Sequence, residues 1–216
     1  MNLNHSRLIA FGDSITRGTA TEETGTNWTE LLRRRFRFDL INAGENGNTS
    51  VNGMTRLQAD VLDRRPDFVL INFGMNDHSM TGENHPRVSP ELFEANLRSM
   101  AEKVLEAGAR PILVTPNYII EGDGEGYYYS RHRRSFYGPA GGAQEWLDRY
   151  AGLVRSVAGS MKIGLVDVRS ECEKYDRYDF LISRKNSGSA DGVHPHALGK
   201  GVYARMIGDF LEHNYG

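Results

Sequence analysis

The chain has 216 residues, of which 39% are hydrophobic and 25% are charged, with one cysteine and a formal net charge of −2. This length and composition predict one globular domain over residues 1–216, with a sizeable hydrophobic core. The small net charge favours neither nucleic acid nor an anionic membrane as a partner, and a lone cysteine excludes an intramolecular disulfide.

Short apolar runs bounded by turn residues predict five buried parallel strands, over residues 8–11, 40–42, 68–73, 111–115 and 164–168. Between the strands, apolar residues recur at helical spacing. Helices are predicted over residues 28–36, 92–105, 146–161 and 202–211, with a weaker one over 54–62. This alternation predicts an α/β fold, a parallel sheet with helices on both faces, whose ligands bind at the carboxyl ends of the strands.

The segment Phe11-Gly12-Asp13-Ser14-Ile15-Thr16 stands where the first predicted strand ends. A serine hydroxyl at this place is a candidate nucleophile if a base reaches it. A serine that only caps the following helix is the commoner arrangement. The backbone N–H of Ser14, at the start of a helix, is also a candidate donor to an oxyanion.

Two further segments follow the second and third predicted strands. Asn42-Ala43-Gly44-Glu45-Asn46-Gly47-Asn48-Thr49 contains Gly47, whose N–H can approach a substrate closely because the residue has no side chain. Phe73-Gly74-Met75-Asn76-Asp77 contains Asn76, a neutral two-proton donor that suits an oxyanion hole. Taken alone, each segment is explained as well by a turn without function.

The segment Asp191-Gly192-Val193-His194-Pro195 precedes the last predicted helix. A spacing of three residues across a turn lets Asp191 reach the imidazole of His194, which would fix the tautomer and leave the other nitrogen free as a base. Alternatively, Asp191 and His194 are an exposed pair on the surface without a catalytic role. The three histidines His78, His85 and His196 lack the helical spacing of metal ligands, so we expect no catalytic metal.

Four segments resemble, in this order, the four sequence blocks of the SGNH (GDSL-type) hydrolase family, from Leu8 to the last helix: Phe-Gly-Asp-Ser-Ile-Thr, Asn-Gly-Asn-Thr-Ser, Gly-x-Asn-Asp and Asp-x-x-His-Pro. The resemblance implies a flavodoxin-like three-layer αβα sandwich with a five-stranded parallel sheet. It also implies a serine esterase or lipase that needs no metal or organic cofactor.

The resemblance assigns a role to each block. Ser14 would be the nucleophile, with Asp191 and His194 completing a catalytic triad. The oxyanion hole would consist of the N–H groups of Ser14 and Gly47 and the side chain of Asn76, with Gly44 as the less favoured alternative to Gly47. Asp77 would hold the loop that carries Asn76, and Asp13 would order the turn before Ser14.

Residues 116–138 form the longest irregular stretch, and they follow the fourth predicted strand toward the expected site. The stretch contains Tyr127, Tyr128 and Tyr129, followed by Arg131, His132, Arg133 and Arg134. Aromatic faces stack on sugar rings, and arginines favour carboxylates and phosphates. With Asp13, the three tyrosines are therefore our candidate substrate-binding residues; an ordinary loop or a dimer contact is the alternative.

The predicted function is hydrolysis of small carboxylic esters, with short-acyl esters of carbohydrates, such as acetylated sugars, most favoured. The alternatives are an acyl-CoA thioesterase or lysophospholipase and, outside the enzymes, a catalytically silent sugar- or flavin-binding module. The polar N-terminal residues show no signal peptide, and no apolar stretch is long enough to span a bilayer. We therefore predict a cytoplasmic protein without integral membrane contact, or a secreted one if a signal peptide has been removed.

Overall fold

The computed structural model describes residues 3–19, 26–37 and 39–216. Its strands, numbered along the chain, are β1 (Arg7–Gly12), β2 (Asp39–Gly44), β3 (Phe68–Asn72), β4 (Met80–Gly82), β5 (His85–Pro86), β6 (Arg110–Val114) and β7 (Gly164–Val166). Five of them form one parallel sheet in the order β2-β1-β3-β6-β7, and β4 pairs with β5 in an antiparallel hairpin. The predicted five-stranded parallel sheet is confirmed, with the strand order of flavodoxin-like folds.

The α-helices are α1 (Ser14–Arg17), α2 (Trp28–Arg35), α3 (Ser50–Asp60), α4 (Pro90–Glu106), α5 (Ala143–Met161), α6 (Val168–Cys172), α7 (Arg177–Phe180) and α8 (Ala197–Tyr215). Short 3₁₀ turns cover Leu3–His5, Leu62–Arg64, Tyr128–Ser130 and Arg134–Ala140. Helix α2 packs against α8, and α4 packs against both α3 and α5, so that helices cover both faces of the sheet.

All five predicted helices are present, and α8 is longer at both ends than the predicted range 202–211. Helix α3 begins at Ser50, four residues before the predicted start, because the Thr49 and Asn52 side chains form a capping box. The buried stripe of α4 is narrower than predicted, since Leu92 and Leu105 are each 47% exposed. Its buried apolar residues are Phe93, Leu97, Met100, Ala101 and Val104.

The central strands supply most of the core. All five residues of β3 are buried, and so are residues 8–12 of β1, as is usual for parallel strands covered on both faces. One connected hydrophobic cluster joins these strands to the helices on either side. Within the part of the chain that the structure describes, no helix is both long and apolar enough to cross a membrane.

The topology brings the four sequence blocks to one edge of the sheet. Strands β1 and β2 end at Gly12 and Gly44, within the first two segments, and β3 ends at Asn72, just before the third. The fourth block lies in the loop before α8. That loop is pinned by an isolated bridge between Leu181 and Pro195 and by the Ile182 N–H, which donates to the His194 carbonyl (2.8 Å).

Candidate active site

The turn after β1 fixes the position of Ser14. The Asp13 carboxylate caps α1 by accepting a hydrogen bond from the Ile15 N–H (2.9 Å). Gly12 is required before this cap, because a Cβ there would overlap the Thr16 hydroxyl and the Asn72 carbonyl. Ser14 is thereby the first residue of α1, with its hydroxyl at the end of the buried strand.

The hydroxyl of Ser14 meets the imidazole of His194, although 180 residues separate them in the sequence. Ser14 Oγ lies 2.9 Å from His194 Nε2. On the other side of the ring, His194 Nδ1 lies 3.0 Å from Asp191 Oδ2 and 3.1 Å from Asp191 Oδ1. The structure therefore brings the three predicted triad residues into one hydrogen-bonded chain.

The electrostatics around Asp191 and His194 favour one protonation state of the pair. Burial opposes ionisation of Asp191, but hydrogen bonds from His194 and the Val193 N–H lower its pKa to about 2. The backbone N–H groups of Val193 (2.8 Å) and His194 (2.7 Å) both donate to Asp191 Oδ1. An ionised Asp191 keeps the proton on His194 Nδ1, which leaves Nε2 free to accept the proton of the Ser14 hydroxyl.

Asn76 lines the same site as Ser14 and His194. Its Nδ2 donates to the Asn48 carbonyl (3.0 Å) and lies 3.4 Å from Asp13 Oδ2. The buried Asp77 carboxylate accepts hydrogen bonds from the N–H groups of Ser50 (2.8 Å) and Gly74 (3.1 Å). Asp77 thus ties the loop carrying Asn76 to the start of α3, as the sequence analysis expected.

The two candidate glycines after β2 differ in their surroundings. Gly47 lines the cleft beside Ser14, and its φ of +73° is a backbone conformation that favours glycine. Gly44 does not line this cleft, and a Cβ at Gly44 would overlap the backbone nitrogen of Arg17. Gly44 therefore allows β2 and α1 to approach each other closely, and Gly47 is the glycine that faces the cleft.

Asp13 is buried behind the site and does not line the cleft. Burial raises the pKa of its carboxyl to about 7, against the lowering effect of the Ile15 N–H and of His194. Its nearest link to the site is Asn76 Nδ2. The structure gives Asp13 contacts that order the turn and orient Asn76, rather than a place where substrate could touch it.

Ser14 and His194 open into a cleft of about 330 Å³. Of the three candidate tyrosines, Tyr128 lines this cleft and the other two do not. Tyr127 packs edge-on against Tyr178. Tyr129 donates its hydroxyl to Glu121 Oε1 (2.6 Å) and accepts from the Ala143 N–H (2.9 Å), so both serve the packing of the loop.

Arg56 joins the loops of the site, and no motif in the sequence pointed to it. Arg56 on α3 donates to the Gly12 carbonyl (2.7 Å), the Ala43 carbonyl (2.8 Å) and Asn48 Oδ1 (2.8 Å). Its guanidinium also lies over the Phe11 ring. Arg56 therefore connects the ends of β1 and β2 to Asn48, whose carbonyl accepts the hydrogen bond from Asn76. Nothing in the local sequence pattern of α3 distinguishes Arg56 from an exposed arginine.

Among the residues that the structure describes, no group of three or more His, Cys, Asp or Glu side chains is placed to hold a metal ion. His78 is buried in the core and His85 is exposed on the β4–β5 hairpin. Cys172 is buried, and burial raises the pKa of its thiol to about 12, so it is a poor nucleophile.

Comparison with known proteins identifies the family. A model of the GDSL-like lipase/acylhydrolase family matches residues 10–202. The chain belongs to this family. Its members are also called SGNH hydrolases, so the predicted family is confirmed, together with its fold and its class, a carboxylic-ester hydrolase of the esterase type.

Three proteins of known sequence are similar to this chain. It is 38% identical over 168 residues to the uncharacterized lipoprotein YqeF of Bacillus subtilis, covering 74% of this chain and 69% of that protein. It is 32% identical over 120 residues to esterase TesA of Pseudomonas aeruginosa, covering 51% and 56%. It is 26% identical over 220 residues to an acetylxylan esterase of Geobacillus stearothermophilus, covering 93% and 91%.

The fold is shared with a solved structure. The crystal structure of Axe2, an acetylxylan esterase from Geobacillus stearothermophilus, matches with a TM-score of 0.71 over 98% of this chain and 96% of that one, at 24% identity. At this level of identity the likeness establishes the common fold.

Proposed function

We propose that this GDSL hydrolase is a serine esterase that cleaves short-acyl esters of carbohydrates, acetyl esters above all, through an acyl-serine intermediate. The observation that carries the proposal is the chain of contacts from Ser14 Oγ to His194 Nε2 (2.9 Å) and from His194 Nδ1 to Asp191 (3.0 Å) at the floor of an open cleft. A neutral imidazole this close to a hydroxyl can act as its general base.

The proposed reaction has two steps. His194 Nε2 takes the proton of Ser14 as Oγ bonds to the ester carbonyl carbon, and the same proton then goes to the departing alcohol as the carbon–oxygen ester bond breaks. In the second step, His194 takes a proton from water, whose oxygen bonds to the acyl carbon, and returns it to Ser14 Oγ as the carboxylic acid leaves. Asp191 remains ionised and holds the imidazole throughout.

Negative charge develops on the carbonyl oxygen in both steps. We propose that the N–H groups of Ser14 and Gly47 and Nδ2 of Asn76 stabilise it. The location of Gly47 and Asn76 on the cleft wall supports this assignment. A single donor of this kind contributes roughly 3–4 kcal/mol to the transition state.

The size of the cleft supports a short acyl group. Its volume of about 330 Å³ is at the lower end for small-molecule sites. A long acyl chain and its alcohol together would need more room than this, whereas an acetyl ester of a sugar is a small ligand. The similarity to an acetylxylan esterase over 93% of this chain supports a carbohydrate as the alcohol.

The alternative is a thioesterase or lysophospholipase. It is supported by 30% identity over 109 residues to the Escherichia coli protein named thioesterase 1/protease 1/lysophospholipase L1, a match that covers 50% of this chain and 49% of that protein. The GDSL family match supports an enzyme over the silent sugar- or flavin-binding module.

We also propose that residues 1–216 act as one hydrolase domain, which the connected core and the family match over 10–202 support. A cytoplasmic location stays a prediction, and the similarity to a lipoprotein favours a secreted or membrane-anchored protein as the alternative. A homo-oligomer in which the loop over 116–138 forms a dimer contact also stays a prediction.

A panel of substrates tests the proposed specificity. The wild-type protein is assayed for release of acid or thiol from acetylated xylo-oligosaccharides, acetyl and octanoyl nitrophenyl esters, palmitoyl-CoA and lysophosphatidylcholine, with Ser14→Ala as the blank. The proposal predicts the highest kcat/KM on the acetyl esters. Preference for palmitoyl-CoA or lysophosphatidylcholine would establish the alternative instead.

A further inference from the structure

Two arginines stand at the rim of the cleft that contains Ser14. Arg87 follows the β4–β5 hairpin, and its backbone N–H donates to the Ser79 carbonyl (2.8 Å). Arg131 follows the 3₁₀ turn Tyr128–Ser130. Both arginines line the cleft and are exposed, so two separate segments of the chain bring guanidinium groups to the same opening.

No described carboxylate neutralises Arg87. Within the described part of the chain, no Asp or Glu lines the cleft, and none forms an ion pair with Arg87. The guanidinium makes one hydrogen bond to the described residues, from Nη2 to the Gly47 carbonyl (3.1 Å). This contact holds the side chain over the cleft and leaves most of its donors available to a ligand.

Arg131 is partly neutralised. Its Nη2 donates to the Asp191 carbonyl (2.7 Å), and Nη1 lies 3.5 Å from Asp191 Oδ2. Next to Arg131 in the sequence, the His132 ring stacks on Tyr128 with 4.2 Å between centroids. The pKa of His132 is lowered by burial first and then by Arg131 and Arg87, so the positive field of both arginines acts at this part of the rim.

We propose that the natural ester carries an oxyanion group, a carboxylate or a phosphate, on its alcohol portion, and that Arg87 binds this group with Arg131 beside it. This inference rests on the proposed function: the reacting carbonyl must lie between Ser14 and Asn76, and the larger alcohol portion then extends toward the rim. A guanidinium pairs with carboxylate or phosphate through parallel hydrogen bonds. The substrate class is thus an acetylated acidic sugar.

Pairs of esters that differ in one negatively charged group measure the effect of that charge on hydrolysis. The first pair is a mono-O-acetyl galacturonic acid methyl glycoside and the same compound with its carboxylate methylated. The second is mono-O-acetyl glucose 6-phosphate and mono-O-acetyl glucose. A third pair, 4-acetoxybenzoate and its methyl ester, contains no sugar. Release of acetate from each is followed at low and at high NaCl concentration.

The wild-type protein is expected to prefer the anionic member of a sugar pair by up to about five-fold in kcat/KM, the upper end for an exposed charge contact. The preference should arise in KM and should shrink as NaCl screens the rim. Arg87→Gln should abolish it while hydrolysis of the neutral member stays within about two-fold, and Arg87→Lys should retain part of it. Arg133→Gln, an exposed arginine outside the cleft, is the matched control and should change nothing.

The carboxylate and phosphate pairs distinguish the two possible anions. Equal kcat/KM for charged and neutral members in the wild type, or an unchanged preference in Arg87→Gln, would overturn the inference. An equal loss of kcat/KM in Arg87→Gln on the charged and the neutral ester would show that Arg87 acts through the Gly47 loop, and this result would also overturn the inference. If no sugar ester is hydrolysed, the carbohydrate proposal fails, and the third pair alone decides whether Arg87 selects an anion.

Discussion

The buried imidazole of His78 makes stability depend on pH in a way that can be measured. The ring is fully buried against Tyr128, with Nδ1 3.3 Å from the Gly74 carbonyl and Nε2 without a hydrogen-bond partner. Burial lowers the pKa of His78 from 6.5 to about 3. Protonation would place a charge in the core with one N–H unpaired.

The sign and size of the effect follow from proton linkage. Between pH 6.5 and 3 the unfolded chain binds a proton at His78 that the folded protein does not, so acid lowers the free energy of unfolding. Each pKa unit corresponds to about 1.4 kcal/mol, and the loss between pH 7.5 and 4.5 is about 2.6 kcal/mol for this group alone. The stabilisation is complete above pH 6.5 and declines as the pH falls through it.

The perturbation is His78→Phe, which keeps an aromatic ring against Tyr128 and removes the titration. The Gly74 carbonyl keeps a partner, because it also accepts the His78 backbone N–H (3.2 Å). Urea unfolding of both proteins at pH 7.5 and 4.5 should show that the variant loses about 2.6 kcal/mol less on acidification. His85→Phe, at an exposed histidine, is the control. If wild type and His78→Phe lose the same stability on acidification, the imidazole of His78 is not held neutral in the folded protein.

Three further predictions concern the turns around the site. Asn76→Ala should lower kcat on 4-nitrophenyl acetate by roughly 10²–10³ with little change in KM, whereas loss in KM alone would contradict an oxyanion role. Asp13→Asn should raise the free energy of unfolding at pH 8 by up to about 4 kcal/mol and leave it unchanged at pH 3. Between pH 3.8 and about 7 the carboxyl of Asp13 retains a proton in the folded protein that it loses in the unfolded chain, so its ionisation at higher pH favours unfolding. Equal effects of the substitution at both pH values would contradict this. Gly44→Ala should destabilise the fold by more than Gly47→Ala in urea unfolding, since only a Cβ at Gly44 meets backbone atoms; the reverse order would be inconsistent with the packing.

The sheet and the relative positions of the four blocks could be predicted from the sequence for a simple reason. Each strand is an apolar run that ends in a turn, and parallel strands place their carboxyl ends on one edge. Ser14, Gly47 and Asn76 follow three such ends directly. His194 and Asp191 could be added because the local spacing of three residues determines their contact.

The loop over 116–138 shows where sequence reasoning reached its limit. Tyr127, Tyr128 and Tyr129 are chemically identical neighbours, but Tyr127 adopts a φ of +61° and its N–H donates to the Ala190 carbonyl (2.8 Å). This backbone conformation, which no periodic pattern encodes, decides which ring reaches the cleft. Arg87 was missed for a similar reason, since its placement depends on a hairpin whose strands have three and two residues.

Covalent labelling shows whether Ser14 is the residue that carries the acyl group. The protein is treated with a fluorophosphonate, then analysed by intact mass and by mapping of the labelled peptide, while hydrolysis of 4-nitrophenyl acetate is followed in parallel. We expect one adduct, on Ser14, formed in step with loss of activity and absent in Ser14→Ala, which should itself have lost turnover. An adduct on another residue, or full activity in Ser14→Ala, would contradict this expectation.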